Sequence, residues 1–286
     1  MTIVYEKLLA LEIPEVRQTY TTRDTMLYAL GLGLGHDPTD ERELAFVYDK
    51  GLQALPTMIC VLGHDPFWVR DLDTGIDYTK VVHGEQSFRL HRSLKASGSI
   101  IGRTRVKDVV DKGAGKGAVM YGERTVVDAD SGETIATLVH TTFCRGDGGF
   151  GGPQRPSVPA HALPDRAPDM VCDLATRPEA ALIYRLSGDY NPLHAEPAAA
   201  RAAGYPRPIL HGLATFGVAG HAILRTACDY DPSRLVAMGG RFTAPVFPGE
   251  TIRTEMWRDG PVASFRARVV ERNVVAIANG RAEIAA

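Results

Sequence analysis

Two stretches of the chain alternate apolar and polar residues with a period of two, and they do so on a similar plan. In the first, a Ser-Gly-Ser turn at 97–99 opens into IIGRTRVKDVV, a Gly/Lys turn occupies 112–117, and AVMYGERTVVD follows. The turn DADSG at 128–132 then leads into ETIATLVHTTFC. In the second, Pro248-Gly249 leads into ETIRTEMWRD, Gly260-Pro261 into VASFRARVVERN, and VVAIANGRAEIA closes the series. Alternation bounded by turn residues predicts an antiparallel meander in each. Ahead of the second meander, residues 212–227 (GLATFGVAGHAILRTA) are apolar almost all round and rich in Ala and Gly, the pattern of a buried helix. The first half offers a weaker helix over Thr22 to Gly31 (TRDTMLYALG) and an apolar segment at 54–63 (ALPTMICVLG), and the pattern does not fix its central helix.

Between the two meanders, residues 146–168 (GDGGFGGPQRPSVPAHALPDRAP) are rich in Gly and Pro and keep neither period, so they read as a connection. The organisation expected is a unit over 1–145, a linker over 146–168 and a second unit over 169–286. A long buried helix wrapped by a strongly curved antiparallel sheet is the hot-dog arrangement. Two of them in tandem, an α+β pseudo-dimer in one chain, is the expected fold class.

Composition narrows the function. At 286 residues the chain can hold one large domain or two ordinary ones, and its net charge of −2 lacks the basic footprint of a nucleic-acid binder. No apolar run is long enough to span a bilayer. The start, MTIVYEKLLALEIPEV, has no signal-peptide pattern, and the end, RAEIAA, is no peroxisomal address, so a cytoplasmic protein is expected. Cys60, Cys144, Cys172 and Cys228 form no CxxC pair and read as reduced, packed residues.

The chemistry concentrates in YRLSGDYNPLHAEPA, residues 184–198. Pro178 to Ser187 reads as a short helix ended by Gly188, and Pro192 disfavours helix at Asn191. Pro197 can open another short helix that ends at Gly204. Asp189, Asn191 and His194 therefore share an irregular segment between two helices. Singly, each is an ordinary turn former or structural residue. Together they supply a carboxylate, an amide and an imidazole, followed by Ile209-Leu-His-Gly-Leu entering the buried helix, where free N–H groups favour an anion.

YRLSGDYNPLH followed by PILHGL closely resembles the hydratase-2 signature of the MaoC-like dehydratases, a double hot-dog family acting on trans-2-enoyl-CoA and (3R)-hydroxyacyl-CoA thioesters. His83-Gly-Glu-Gln and the run Arg145 to Gly152 resemble that family's first hot dog, so the likeness spans essentially the whole chain. The resemblance implies a water held between Asp189 and His194 with Asn191 orienting it, and an oxyanion donor at the Gly212 N–H. It implies no cofactor beyond the substrate's own CoA, and no metal.

His211 is expected to support the loop from behind the reacting groups, and Glu85 to be a structural carboxylate bonded to backbone donors near the junction. The first half has no copy of the motif; YALGLGLGHD at 28–37 offers glycines and leucines instead, so one site per chain is expected. Its glycines at 31, 33 and 35 are expected to shorten or bend the helix and open an acyl tunnel. Arg103, Arg105, Lys107, Lys112 and Lys116 are the densest basic cluster available to CoA phosphates, although alternating charges on a strand are usually a solvated face. The GFGG run at 149–152 lacks the strand–turn–helix context of a nucleotide fingerprint and reads as linker.

The same catalytic set would serve an acyl-carrier-protein, branched, sterol-derived or dicarboxylic thioester. Two other readings are a metal-dependent hydrolase using Asp189, His194 and His211, and a non-catalytic acyl-CoA binder. Both a monomer and a homodimer are compatible with the sequence.

Overall fold

The computed structural model of the chain describes residues 2–156 and 158–286. The first half runs α1 (Tyr5–Leu9), β1 (Val16–Tyr20), α2 (Thr22–Gly31), α3 (Glu41–Val47), a 3-10 turn (Pro56–Cys60) and α4 (Trp68–Asp71). Four long strands complete it: β2 (Val81–Leu90), β3 (Gly98–Asp111), β4 (Ala118–Asp128) and β5 (Thr134–Cys144). The second half runs β6 (Met170–Ala175), α5 (Ala180–Tyr184), 3-10 turns Arg185–Ser187 and Pro192–His194, α6 (Pro197–Ala202) and α7 (Gly212–Ala227). It ends with β7 (Leu235–Phe242), β8 (Thr251–Asp259), β9 (Val262–Val269) and β10 (Val274–Ile284).

The six predicted meander strands, α2 and α7 all form where the alternation places them. The ten strands make one antiparallel sheet in the order β1-β3-β4-β5-β2-β7-β10-β9-β8-β6. Strands β2 and β7 form the seam between halves, pairing Glu85 with Arg241 through Arg89 with Ala237. Gly239 allows the two strands to close there, since a Cβ at that position would meet Ser87 Cβ at 2.9 Å. Neither seam strand is visible as strict alternation: β2 carries a bulge between His83 and Glu85, and β7 ends in Gly-Gly-Arg-Phe.

The concave face of the second half wraps α7, whose residues Ala214 to Leu224 are all buried. In the first half the interior facing α7 is occupied by the short turn Pro56–Cys60, every residue of which is buried. Close packing depends on glycine: a Cβ at Gly220 would lie 2.5 Å from Thr57 Cγ2. A polar network also ties the halves. Glu43 on α3 accepts from the Tyr230 hydroxyl at 3.1 Å and from the Gly35 N–H at 2.7 Å, with His221 of α7 3.6 Å away.

The Gly-rich run after β5 is docked rather than loose. Buried Asp111 accepts N–H groups from Gly113 (2.8 Å), Gly149 (2.7 Å) and Gly151 (2.9 Å). Further along the connection, Trp257 donates to the Arg166 carbonyl and Asn279 to that of His161; Ser157 lies outside the described residues. Helix α2 stops at Gly31, and the next turns use Gly33 and Gly35 at φ +90° and +76°. The expected shortening of this helix is therefore present.

Candidate active site

Helix α5 and its 3-10 extension end at Gly188, whose φ of +121° is open to glycine and strained for any side chain. That reversal sends Asp189 to Asn191 across the mouth of α7. Two short bonds shape the segment. Asp189 Oδ1 accepts the Asn191 N–H at 3.1 Å, and Asn191 Oδ1 accepts the Leu193 N–H at 3.0 Å, capping the turn that carries His194. One lone pair of the Asn191 amide oxygen is thus engaged by backbone, and its NH2 group can donate to a ligand.

Two further bonds tie this segment to the strand of chain entering α7. His194 Nδ1 donates to the Ile209 carbonyl at 2.9 Å, and His211 Nε2 donates to the Asp189 carbonyl at 3.1 Å. A carbonyl can only accept, so each bond fixes a tautomer. His194 is left with a bare Nε2. His211 is left with a bare Nδ1, which is buried and without a partner.

The two rings stack, with centroids 3.7 Å apart and planes 25° from parallel, and Tyr184 packs on the other side of His211 at 5.0 Å. Burial lowers the pKa of His194, opposed by its carbonyl bond and by Asp189. Burial, then the neighbouring His194, lowers that of His211. Both imidazoles are therefore held toward the neutral form, in which the bare nitrogen of each can accept a proton.

Gly212 is the first residue of α7, and the N–H groups of that first turn have no helical partner. Its φ is not in the left-handed region, and the nearest atoms a Cβ there would meet belong to the Phe242 ring, at 3.5 Å, an ordinary contact. Neither backbone nor packing demands a glycine at this position. The missing side chain leaves room for a ligand to approach the amide closely.

Asp189, His194 and His211 each present one ligand-type atom, all within 4.8 Å of one another. A carboxylate with two imidazoles is also a donor set that zinc accepts. The same three groups, a carboxylate beside two basic nitrogens, also suit proton transfer.

Glu85 lies elsewhere. It is half-exposed on the seam and forms an ion pair with Arg241, whose Nε donates to Oε1 at 2.7 Å with Nη2 2.6 Å away, so its partner is a guanidinium and not the backbone donors expected. The basic cluster of β3 is largely answered by acids: Arg103 meets Glu15, and Arg105 and Lys107 meet Glu123.

Pattern reading missed His83. The bulge at Gly84 turns its ring inward against Phe242 at 4.9 Å, close enough for Asp189 to act on its pKa. The signal available was the glycine inside an otherwise regular strand.

A carboxylate, two stacked imidazoles and the open N-terminus of α7 thus come together within two fused hot dogs, a set of groups able to move a proton beside an anion. Known proteins agree with that class. Residues 18–146 match the family model "MFE-2 hydratase 2 N-terminal domain", and residues 159–280 match "MaoC like domain". The chain is 39% identical over 292 residues to "Enoyl-CoA hydratase 2, peroxisomal" of Arabidopsis thaliana, covering 95% of this chain and 92% of that protein. It is 39% identical over 281 residues to "Enoyl-CoA hydratase ChsH3" of Mycobacterium tuberculosis, covering 96% and 97%.

Among solved structures, a MaoC-like dehydratase from Phytophthora capsici superposes with a TM-score of 0.86 at 34% identity over 98% of each chain. A Mycobacterium tuberculosis protein described as a double hotdog matches at 0.59 and 16% identity, a likeness of fold alone. The chain belongs to the MaoC-like, hydratase 2 family of double hot-dog hydro-lyases. Among the described residues no helix is long and apolar enough to cross a membrane.

Proposed function

We propose that the chain catalyses the (R)-specific hydration of trans-2-enoyl-CoA to (3R)-3-hydroxyacyl-CoA, and its reversal. The observation that carries the reading is the convergence of Asp189 and His194, with ligand atoms within 4.8 Å of each other, beside the N-terminus of α7. A water between Asp189 and the bare His194 Nε2 gives up a proton as its oxygen bonds to C3 of the alkene. The electron pair moves to the thioester oxygen, where the Gly212 N–H and the α7 dipole hold the charge. The enolate then collapses as C2 takes a proton from the acid/base pair. Oxygen and hydrogen arrive from one side, which is syn addition, and the facial choice rests with how the thioester lies over Gly212.

His211 holds the carbonyl of Asp189 and stacks on His194, so it acts by positioning. The similarity to enzymes named enoyl-CoA hydratases at 39% identity over nearly the whole chain supports a CoA thioester as substrate. The four cysteines are all buried and unpaired, which fits the reducing cytoplasm we infer for it.

The test is the loss of enoyl absorbance on mixing trans-2-enoyl-CoA with the protein, beside Asp189→Asn and His194→Ala. Each variant is expected to lose about 10²–10⁴ in kcat. The double variant is expected to lose little more than the worse single one, because the pair acts as a unit. Wild-type-like turnover in either variant refutes the assignment. The three-ligand geometry also admits a metal-dependent hydrolase, and CoA release from a saturated acyl-CoA, abolished by a chelator, would favour it.

A further inference from the structure

The interior of the first half is not continuously apolar. One buried cluster contains Phe88, Ile100, Val126, Ala136 and Leu138 with the segment Met58 to Cys60, and a second contains Trp68, Val106, Val109, Ala118, Met120 and Cys144. Between them lie groups that neither cluster includes: Arg124, His140, His83 and His64.

Arg124 sits at an inward position of β4, between Gly122 and Val126, and is 4% exposed. Its two hydrogen bonds both come from Nη2, to the carbonyls of Cys60 (2.7 Å) and Ile59 (3.4 Å). Nε is buried with no partner, and no described carboxylate pairs with the guanidinium. The groups that feel its charge are Cys60, His64, His83 and His140. A buried cation without a counter-ion is costly, and two carbonyl dipoles answer only one edge of it.

The histidines show that the band borders space. His64, His83 and His140 are only half-buried by accessible surface. Yet desolvation is the first cause of the depressed pKa of each. Each ring thus keeps part of its surface open within a poorly solvated part of the fold. The fold makes room for one of them: a Cβ at Gly122 would strike the His140 ring at 2.3 Å, so the glycine lets that ring lie across β4. The band also reaches the active site. His83 lies 6.2 Å from His140 and 4.9 Å from Phe242, and Phe242 borders Gly212.

We propose that this band is the distal wall of the acyl site and selects an acyl chain bearing a second carboxylate, held by Arg124 with His64 and His140 as further hydrogen-bond donors. The inference rests on the thioester reading above and specifies its substrate class. An apolar chain end would leave the cation unanswered, whereas a carboxylate supplies the missing charge and takes up donors that have no protein partner.

The experiment compares trans-2-enoyl-CoA substrates with their ω-carboxy counterparts at matched chain lengths, for wild type, Arg124→Met and Arg124→Lys. The readout is the ratio of the two kcat/KM values, which does not depend on how much of a variant is folded. At the matching length, wild type is expected to favour the ω-carboxylate about tenfold or more, the effect of one charge-assisted hydrogen bond. Arg124→Met should bring the ratio to unity or below, while Arg124→Lys keeps it above unity. A wild-type ratio at or below unity at every length overturns the inference, as does a ratio unchanged in Arg124→Met.

Turnover of the unsubstituted substrates reports separately on the proposed activity. If wild type hydrates neither series, that activity falls, and calorimetric binding of saturated ω-carboxyacyl-CoA against saturated acyl-CoA decides the pocket instead. Preference lost in Arg124→Met supports the inference, and equal binding by wild type refutes it.

Discussion

Gly212→Ala separates stability from catalysis, because the two should move in opposite directions. Within the protein the atoms nearest the new methyl are Phe242 ring carbons, the closest at 3.5 Å, an ordinary contact. The residue has an unstrained φ and opens a 16-residue helix, where alanine is the better helix former by at most about 1 kcal/mol. The variant should therefore be as stable as wild type or up to about 1 kcal/mol more stable. Activity should fall sharply, because the methyl fills the space through which a thioester oxygen reaches the 212 amide. Loss of one such donor costs about 3–4 kcal/mol in the transition state, or roughly 10²–10³ in kcat. Urea unfolding followed by circular dichroism measures the first quantity, and hydration of trans-2-enoyl-CoA the second. Turnover within a few-fold of wild type would sink the oxyanion assignment. Destabilisation by more than about 1 kcal/mol would show that the glycine serves packing after all.

Other outcomes are expected from the same structure. Activity should survive prolonged treatment with EDTA or phenanthroline followed by desalting, and proportional loss restored by zinc would move the site to metal chemistry. Asp111→Ala should destabilise the chain by about 3 kcal/mol or more, since it strands three amide donors at a site 2% exposed. An unchanged urea midpoint would show the Gly-rich run to be loosely held.

Acid should weaken the fold early. Burial holds His83 at about 4 and His140 at about 3, and lowers His64, His194 and His211 as well. Their unfolded forms take up protons near pH 6.5, so stability is full above that value and is lost as pH falls toward the folded values. Thermal scans across pH 4–8 should show a steady decline in the melting temperature below about 6.5. A flat profile down to pH 4.5 would contradict it.

Local pattern sufficed wherever one physical rule governed. Six strands are half-buried and bounded by Gly, Pro, Asn or Asp turns, so a period of two and the turn residues mark them. The helix Gly212–Ala227 is buried on all sides and reads as such from its composition. The segment from Asp189 to His194 was legible because Gly188 and Pro192 force it out of helix, and its spacing to His211-Gly212 carried the family resemblance. Even the shortened α2 follows from glycines at 31, 33 and 35.

What tertiary structure decided depends on pairings between distant parts of the chain. Strands β2 and β7 join the halves into one sheet, a bond between residues about 150 apart in sequence that no local period encodes. Glu85 was expected to bond backbone donors but pairs with Arg241, because only the seam sets those residues opposite each other. Stacking of His194 on His211, with their tautomers fixed by the carbonyls of Ile209 and Asp189, arises from two segments folding against each other. Arg124 marks the boundary between the two kinds of information. Its place in the alternation of β4 puts a cation on an apolar face, which the sequence determines. Only the sheet and the turn Pro56–Cys60 reveal that its charge is left unanswered beside three histidines, because charge compensation is a property of neighbours in space.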